Sequence, residues 1–77
     1  MDYTKIIMDF FKEKGAGDDI GIDTDLFGSG FVNSLFALEI VVFLEDTFNI
    51  RIKNKDINEE NFRTLQNISA LVERITG

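Results

Sequence analysis

The sequence predicts an all-α fold, a four-helix bundle with a short third helix and a long loop between the first and second helices. Apolar residues recur at helical spacing in three separate stretches. The one short alternating run, Ile50-Arg51-Ile52, has no second strand to pair with. Between positions 15 and 32 the period is lost and five glycines appear. Seventy-seven residues make a single domain, 1–77, which buries about 60% of its unfolded surface. That suffices for a compact core and is too little for a deep substrate cleft.

Taken in order, Asp2 can cap a first helix in which Tyr3, Ile6, Ile7, Phe10 and Phe11 form one apolar stripe. Lys12 and Lys14 suit its C-terminal end, and Gly15 and Gly17 stop it. In the stretch that follows, Ile20, Ile22, Leu26, Phe27, Phe31 and Val32 still need burial. This predicts a long loop packed on the core, of the kind that often serves function. Asp23-Thr24-Asp25-Leu26-Phe27-Gly28 hints at a calcium loop, but Phe27 occupies a ligand position and Ser34 the position of the bidentate carboxylate, so no metal site is expected.

A second helix is predicted from about Asn33 or Ser34, both good N-cap residues, to Phe48, with Asn49 as a left-handed terminator. Ala37, Ile40, Val41, Leu44 and Phe48 share one stripe, the core face. Leu35, Leu38 and Val42 lie on roughly the opposite face, bordered by Glu39, Glu45 and Asp46. A second apolar face ringed by carboxylates, in a domain whose core face is already assigned, predicts a surface that a partner covers. Phe36 and Phe43, beside the core stripe, are expected to pack on the long loop. Ile50-Arg51-Ile52 reads as an extended connector with Ile50 or Ile52 turned inward. Asn58, followed by Glu59 and Glu60, opens the short third helix, which ends near Phe62. Thr64 caps the last helix, marked by Leu65, Ile68, Leu71, Val72 and Ile75.

Composition narrows the function classes. Without cysteine there is no disulfide framework and no thiolate metal site, which suits the reducing cytoplasm. Without histidine, Ser-His chemistry within this chain is excluded. The carboxylates show no convincing paired constellation, so the chain reads as non-catalytic. No apolar run approaches the roughly 18 residues of a membrane span, and the N-terminus lacks the basic-then-apolar pattern of a signal peptide. Fourteen acidic residues face eight basic ones, and no Lys or Arg occurs from 15 to 50, where Asp18, Asp19, Asp23, Asp25, Glu39, Glu45 and Asp46 all lie. Such a surface repels nucleic acid and anionic lipid and steers toward basic protein partners. An acidic excess also simply keeps a small protein soluble.

Ser34 stands between the Gly-rich segment and the longest helix. From the residues alone it reads first as an N-cap. The same geometry suits a second role. A phosphodiester on a hydroxyl at a helix N-terminus sits against free backbone N–H groups and the positive end of the helix dipole. No base is present to activate the serine, so another enzyme would have to attach the group.

Asp25-Leu26-Phe27, then Gly30-Phe31-Val32-Asn33-Ser34-Leu35, Leu38-Glu39, Glu45-Asp46, Phe48 and Phe62-Arg63-Thr64 together resemble an acyl carrier protein over nearly the whole chain. The resemblance implies that Ser34, matching the serine of the family's Asp-Ser-Leu motif, bears 4′-phosphopantetheine, whose thiol holds acyl groups as thioesters. It also implies that the second helix is the recognition helix, so that Asn33, Leu35, Leu38, Glu39, Val42, Glu45 and Asp46 face partners. Those partners are a phosphopantetheinyl transferase, an acyl- or aminoacyl-activating enzyme, and tailoring or condensing enzymes with basic docking patches. Asn33 departs from the motif's Asp; it caps a helix equally well but removes a charge beside the serine, which bears on which transferase accepts it. The connector after the second helix and Asn-Phe-Arg-Thr before the last resemble freestanding carriers of polyketide and nonribosomal peptide biosynthesis, with D-alanyl and fatty-acid carriers as alternatives. The expectation is a monomeric cytoplasmic carrier. The competing expectation is a helical adaptor that binds one protein permanently through the second face, with Ser34 only a cap.

Overall fold

The computed structural model describes residues 2–16 and 20–77. Its elements are α1 (Thr4–Glu13), α2 (Ser34–Phe48), a 3-10 turn (Asn54–Asp56) and α3 (Leu65–Thr76). The described residues contain no strand, so the all-α class holds. Gly17, Asp18 and Asp19, read above as part of a helix stop and of the acidic stretch, lie outside the described residues.

Two of the three described helices are capped by a side chain; α1 instead has Tyr3 at its N-cap position with no side-chain cap, and Asp2, expected there, stands one residue ahead of it. Asp2 accepts from the Thr4 amide at 2.9 Å and from its hydroxyl at 2.7 Å, and these bonds hold the Asp2 carboxyl below its usual pKa. Asn33 caps α2 and Thr64 caps α3, each accepting the amide three residues on. Asn49 ends α2 at φ 54°, the left-handed conformation expected of it.

The short third helix expected from Asn58 to Phe62 does not form, and the described residues therefore hold three α-helices, not four. Asn58 Oδ1 does accept the Asn61 amide at 2.8 Å, as a cap would. The Asn61 side-chain amide, however, donates to the Asp56 carbonyl at 2.8 Å, and that of Asn67 to the Glu60 carbonyl at 2.9 Å. Asparagine side chains thus take backbone partners that a helix would need, and the segment stays a series of turns. One turn's worth of helix could not outweigh this, because a helix of that length never gets past its nucleation cost.

Ile7 and Phe11 of α1, Ala37, Ile40, Val41 and Leu44 of α2, and Leu65, Ile68, Leu71 and Val72 of α3 meet in one core. Leu26 and Val32 from the long loop, Ile52 from the connector and Phe62 close it. The loop is thus packed as expected, although Ile22 remains 45% exposed. Tyr3 packs edge-on against Phe48, Phe10 stacks on Phe43 at 4.0 Å and Phe11 meets Phe36 at 5.5 Å, so α1 runs antiparallel to α2. Phe43 therefore packs on α1, not on the long loop. Phe36 does both, lying parallel to Phe10 and edge-on to Phe31 at 5.4 Å. Phe10, Phe11 and Phe36 each meet three other rings, and such pairs add about 0.5–1.5 kcal/mol each beyond burial.

Glu45, expected on the partner face, is turned to the connector. Its Oε2 accepts the Ile52 amide at 2.9 Å, while Ile52 itself is buried. On the helix it falls at the edge of the face that Leu35, Leu38 and Val42 define. Replacing it with alanine leaves a half-buried amide without an acceptor, which costs about 1–2 kcal/mol. Urea unfolding of Glu45→Ala should show that loss, with the larger part recovered in Glu45→Gln, which keeps an acceptor oxygen.

Candidate functional site

The loop before α2 is closed by its own hydrogen bonds. The Val32 amide donates to the Leu26 carbonyl at 3.0 Å, that of Gly30 to Phe27 at 3.1 Å and that of Ser29 to Asp25 at 2.9 Å. Asp25 Oδ1 accepts the Gly28 amide at 2.9 Å, and a Cβ at Gly28 would lie 2.8 Å from the other carboxylate oxygen, so a side chain there would push the Asp25 carboxylate aside. Gly30 sits at φ +82°, where a side chain is strained. The loop is pinned to the rest of the chain by the Leu26 amide on the Arg63 carbonyl at 2.7 Å and by Arg63 Nη1 beside Asp25 Oδ2 at 3.4 Å. The Gly28 amide first, and Arg63 second, hold the Asp25 carboxyl below its usual pKa.

This loop delivers Asn33 in extended conformation, with its side chain accepting the Phe36 amide at 2.9 Å. Asn33, and not Ser34, is therefore the N-cap. Ser34 becomes the first residue of the helix, exposed, and its hydroxyl makes no hydrogen bond among the described residues. The amides of Ser34 and Leu35 come before the first intrahelical donor, the Ala37 amide on the Asn33 carbonyl, and are free to meet an anion. Beside Ser34 a groove of about 380 Å³ opens, with Phe27, Leu38, Ile57 and Phe62 along it and Asn58 and Glu59 at its polar side. Arg63 Nη2 holds Glu59 at 3.1 Å, so one guanidinium joins the loop wall to the opposite wall.

On the outer side of α2, Leu35 is 72% exposed, Leu38 55% and Val42 57%, and the carboxylates of Glu39 and Asp46 are exposed beside them. The second apolar face is real. Asn33 and Ser34 begin this face at its N-terminal end, and of the residues assigned to it only Glu45 is turned away. Sequence reasoning missed the groove: Ile57 draws no reading and Phe62 reads as the end of a short helix and part of the Phe62-Arg63-Thr64 match, and their approach to Ser34 depends on turns that no periodicity marks.

The family model "Phosphopantetheine attachment site" matches residues 5–75. This chain belongs to the phosphopantetheine-binding acyl carrier protein family. A D-alanyl carrier protein of Leuconostoc citreum is 33% identical over 79% of this chain and 81% of its own length. A D-alanyl carrier protein of Streptococcus pyogenes is 35% identical over 70% of this chain and 68% of its own. Among solved structures, a chain in "Crystal structure of FAD-dependent dehydrogenase" superimposes with a TM-score of 0.72 at 25% identity, over 82% of this chain and 89% of that one.

The carrier holds 4′-phosphopantetheine covalently, as its family does. The site fits the group on its own chemistry. An unbonded hydroxyl, two free amides and a helix N-terminus suit a phosphodiester, and a groove of this size lies in the range of small-ligand sites. When bound, the group supplies the thiol that this cysteine-free chain lacks. Asn33→Ala removes the cap and should cost about 1 kcal/mol, whereas Asn33→Asp should leave the melting temperature near that of the parent, as thermal unfolding monitored by circular dichroism will show.

Proposed function

We propose that Ser34 is the attachment point, and that the chain is a non-catalytic cytoplasmic carrier of a small acyl or aminoacyl group. The observation that carries this reading is the free Ser34 hydroxyl, released from capping by Asn33 and placed beside the groove. A phosphopantetheinyl transferase would deprotonate that hydroxyl and direct it onto the pantetheine-side phosphorus of coenzyme A, so that the diphosphate bond breaks, adenosine 3′,5′-bisphosphate leaves and the phosphopantetheine stays on Ser34 as a phosphodiester. An activating enzyme then passes its acyl or aminoacyl adenylate to the thiol, forming the thioester and releasing AMP. Tailoring or condensing enzymes take up the loaded carrier through Leu35, Leu38, Val42, Glu39 and Asp46.

The D-alanyl carriers among its relatives favour a small amino acid as cargo. The groove agrees, since it is open and bounded by the fully packed Phe62. A second reading has its own support. The structural match to a chain in a crystal of an FAD-dependent dehydrogenase favours a carrier whose cargo is presented to such a dehydrogenase while tethered. Polyketide or nonribosomal peptide biosynthesis is the setting in which that reading would apply.

Incubation with a broad-specificity phosphopantetheinyl transferase and coenzyme A should add one phosphopantetheine to the intact mass, and Ser34→Ala should add none. Equal uptake by that variant would overturn the assignment. Offering D-alanine and short acyl acids to the matching activating enzymes then separates the two cargo readings. Charge reversal at Glu39 or Asp46 should raise the KM of loading about tenfold, with stability changed by less than about 0.5 kcal/mol. Loading that is indifferent to both salt and these variants would exclude charge steering.

A further inference from the structure

Half of the basic residues of this acidic chain line one groove. Arg51 and Lys53 of the connector, Lys55 of the 3-10 turn and Arg74 of α3 surround a cavity of about 340 Å³ whose floor is Leu71 and Ile75. Asp56 is its one acidic lining residue, and all four basic side chains belong to exposed residues. Arg51, Lys53 and Lys55 form no ion pair among the described residues, and Arg74 donates to the neutral Asn61 Oδ1 at 3.2 Å. The helix dipole accounts for Arg74, in the last turn of α3. It does not account for Lys53 and Lys55, which lie beyond the end of α2 and in no α-helix.

The groove begins at the end of α2 opposite Ser34. Phe62, just before α3, shares the first groove with Ser34, whereas Arg74 and Ile75, at the end of α3, share this one with Arg51, just after α2. Arg51 and Ser34 flank α2, whose length is about 20 Å at 1.5 Å per residue, while the near edge of this groove, at Asp56, adjoins Ile57 of the first.

We propose that this groove is a second docking site, and that its occupant is an acidic segment of a partner protein. Four cations face it across a single carboxylate, so the complementary surface is a short run of Asp or Glu. Extended surfaces fit worse. Nucleic acid or an anionic bilayer would also meet the acidic remainder of a chain with a net charge of −6. Among the described residues no large hydrophobic side chain stands exposed in this groove to enter a bilayer, the exposed ones being Ile6, Ile22, Leu35, Leu38 and Val42. Occupied at this groove, the carrier stays tethered to an assembly while the Ser34 end exchanges one enzyme for the next, and the tether raises the effective concentration at every exchange.

The test uses the 15N-labelled, phosphopantetheine-bearing protein and an acetylated, amidated decapeptide of alternating Glu and Ala, with the Gln–Ala peptide as control. Amide shifts should move at 51–56 and 71–76 and stay still at 34–46, and Lys53→Glu with Lys55→Glu should weaken the affinity about tenfold. Equal binding of the Gln–Ala peptide, shifts of the same size around Lys5 and Lys12, or no binding at all overturns the proposal. So does tighter binding to phosphatidylglycerol vesicles, or titration shifts explained by self-association through the acidic α2 face of a second copy. The double variant should still take up phosphopantetheine on Ser34, which separates a failure here from a failure of the carrier reading on which it rests.

Discussion

The hydrogen bond from the Phe36 amide to Asn33 Oδ1, at 2.9 Å, decides what the neighbouring serine can do. A helix start has one capping position, and whichever side chain fills it is committed to a backbone amide. Were the register one residue later, Ser34 would be the cap and its hydroxyl would be an acceptor already in use. With Asn33 in place, Ser34 is the first helical residue, and its oxygen is exposed with nothing to do in the folded domain. The register is in turn set upstream, by a loop that needs Gly30 at positive φ and Gly28 against the Asp25 carboxylate. Leu26, fully buried and bonded to the Arg63 carbonyl, anchors that loop to the core. The site is thus a consequence of backbone geometry more than of any reactive side chain.

The same helix must also hold the domain together, and it does so with a division of faces. Ala37, Ile40, Val41 and Leu44 enter the core, and Phe36 and Phe43 are taken up by the aromatic stack on α1. With those two faces occupied, Leu35, Leu38 and Val42 have nothing left in this chain to cover them. A stripe of three large apolar residues, exposed and flanked by Glu39 and Asp46, buries enough to reward contact and too little to make contact permanent. Burying this face of α2 more fully would stabilise the domain and remove the surface through which, on the proposed reading, it is recognised.

Most of this was legible because it rests on short-range rules. The periodicity of α1, α2 and α3, the asparagine and threonine caps, the left-handed Asn49 and the outward face of α2 all follow from spacings of four residues or fewer. What was not legible depends on contacts between distant segments. Asn61 and Asn67 divert backbone carbonyls at Asp56 and Glu60, and this replaces the expected third helix with turns. Glu45 looks like a surface carboxylate until the connector brings the Ile52 amide to it. Phe43 could have met the loop or α1, and only the antiparallel packing of α1 on α2 chooses between them. The serine was singled out from its place in the sequence; the groove beside it required Phe27 and Phe62, thirty-five positions apart in the chain, to line it together.

Charge follows the same division of labour along the molecule. Around Ser34 and down α2 there is no cation from 15 to 50, while the far end gathers Arg51, Lys53, Lys55 and Arg74. Within the domain these charges contribute little, because exposed ion pairs such as Arg63 with Asp25 and Glu59 are worth at most about 1 kcal/mol. Their effect is on encounters. A separated charge distribution gives the molecule a dipole, and a dipole orients it before contact, so that a basic enzyme surface meets the Ser34 end first. Steering of this kind raises association rates without adding buried area, so dissociation stays fast. A carrier that visits several enzymes in turn gains from fast arrival and fast release together, and only long-range charge supplies the first without obstructing the second.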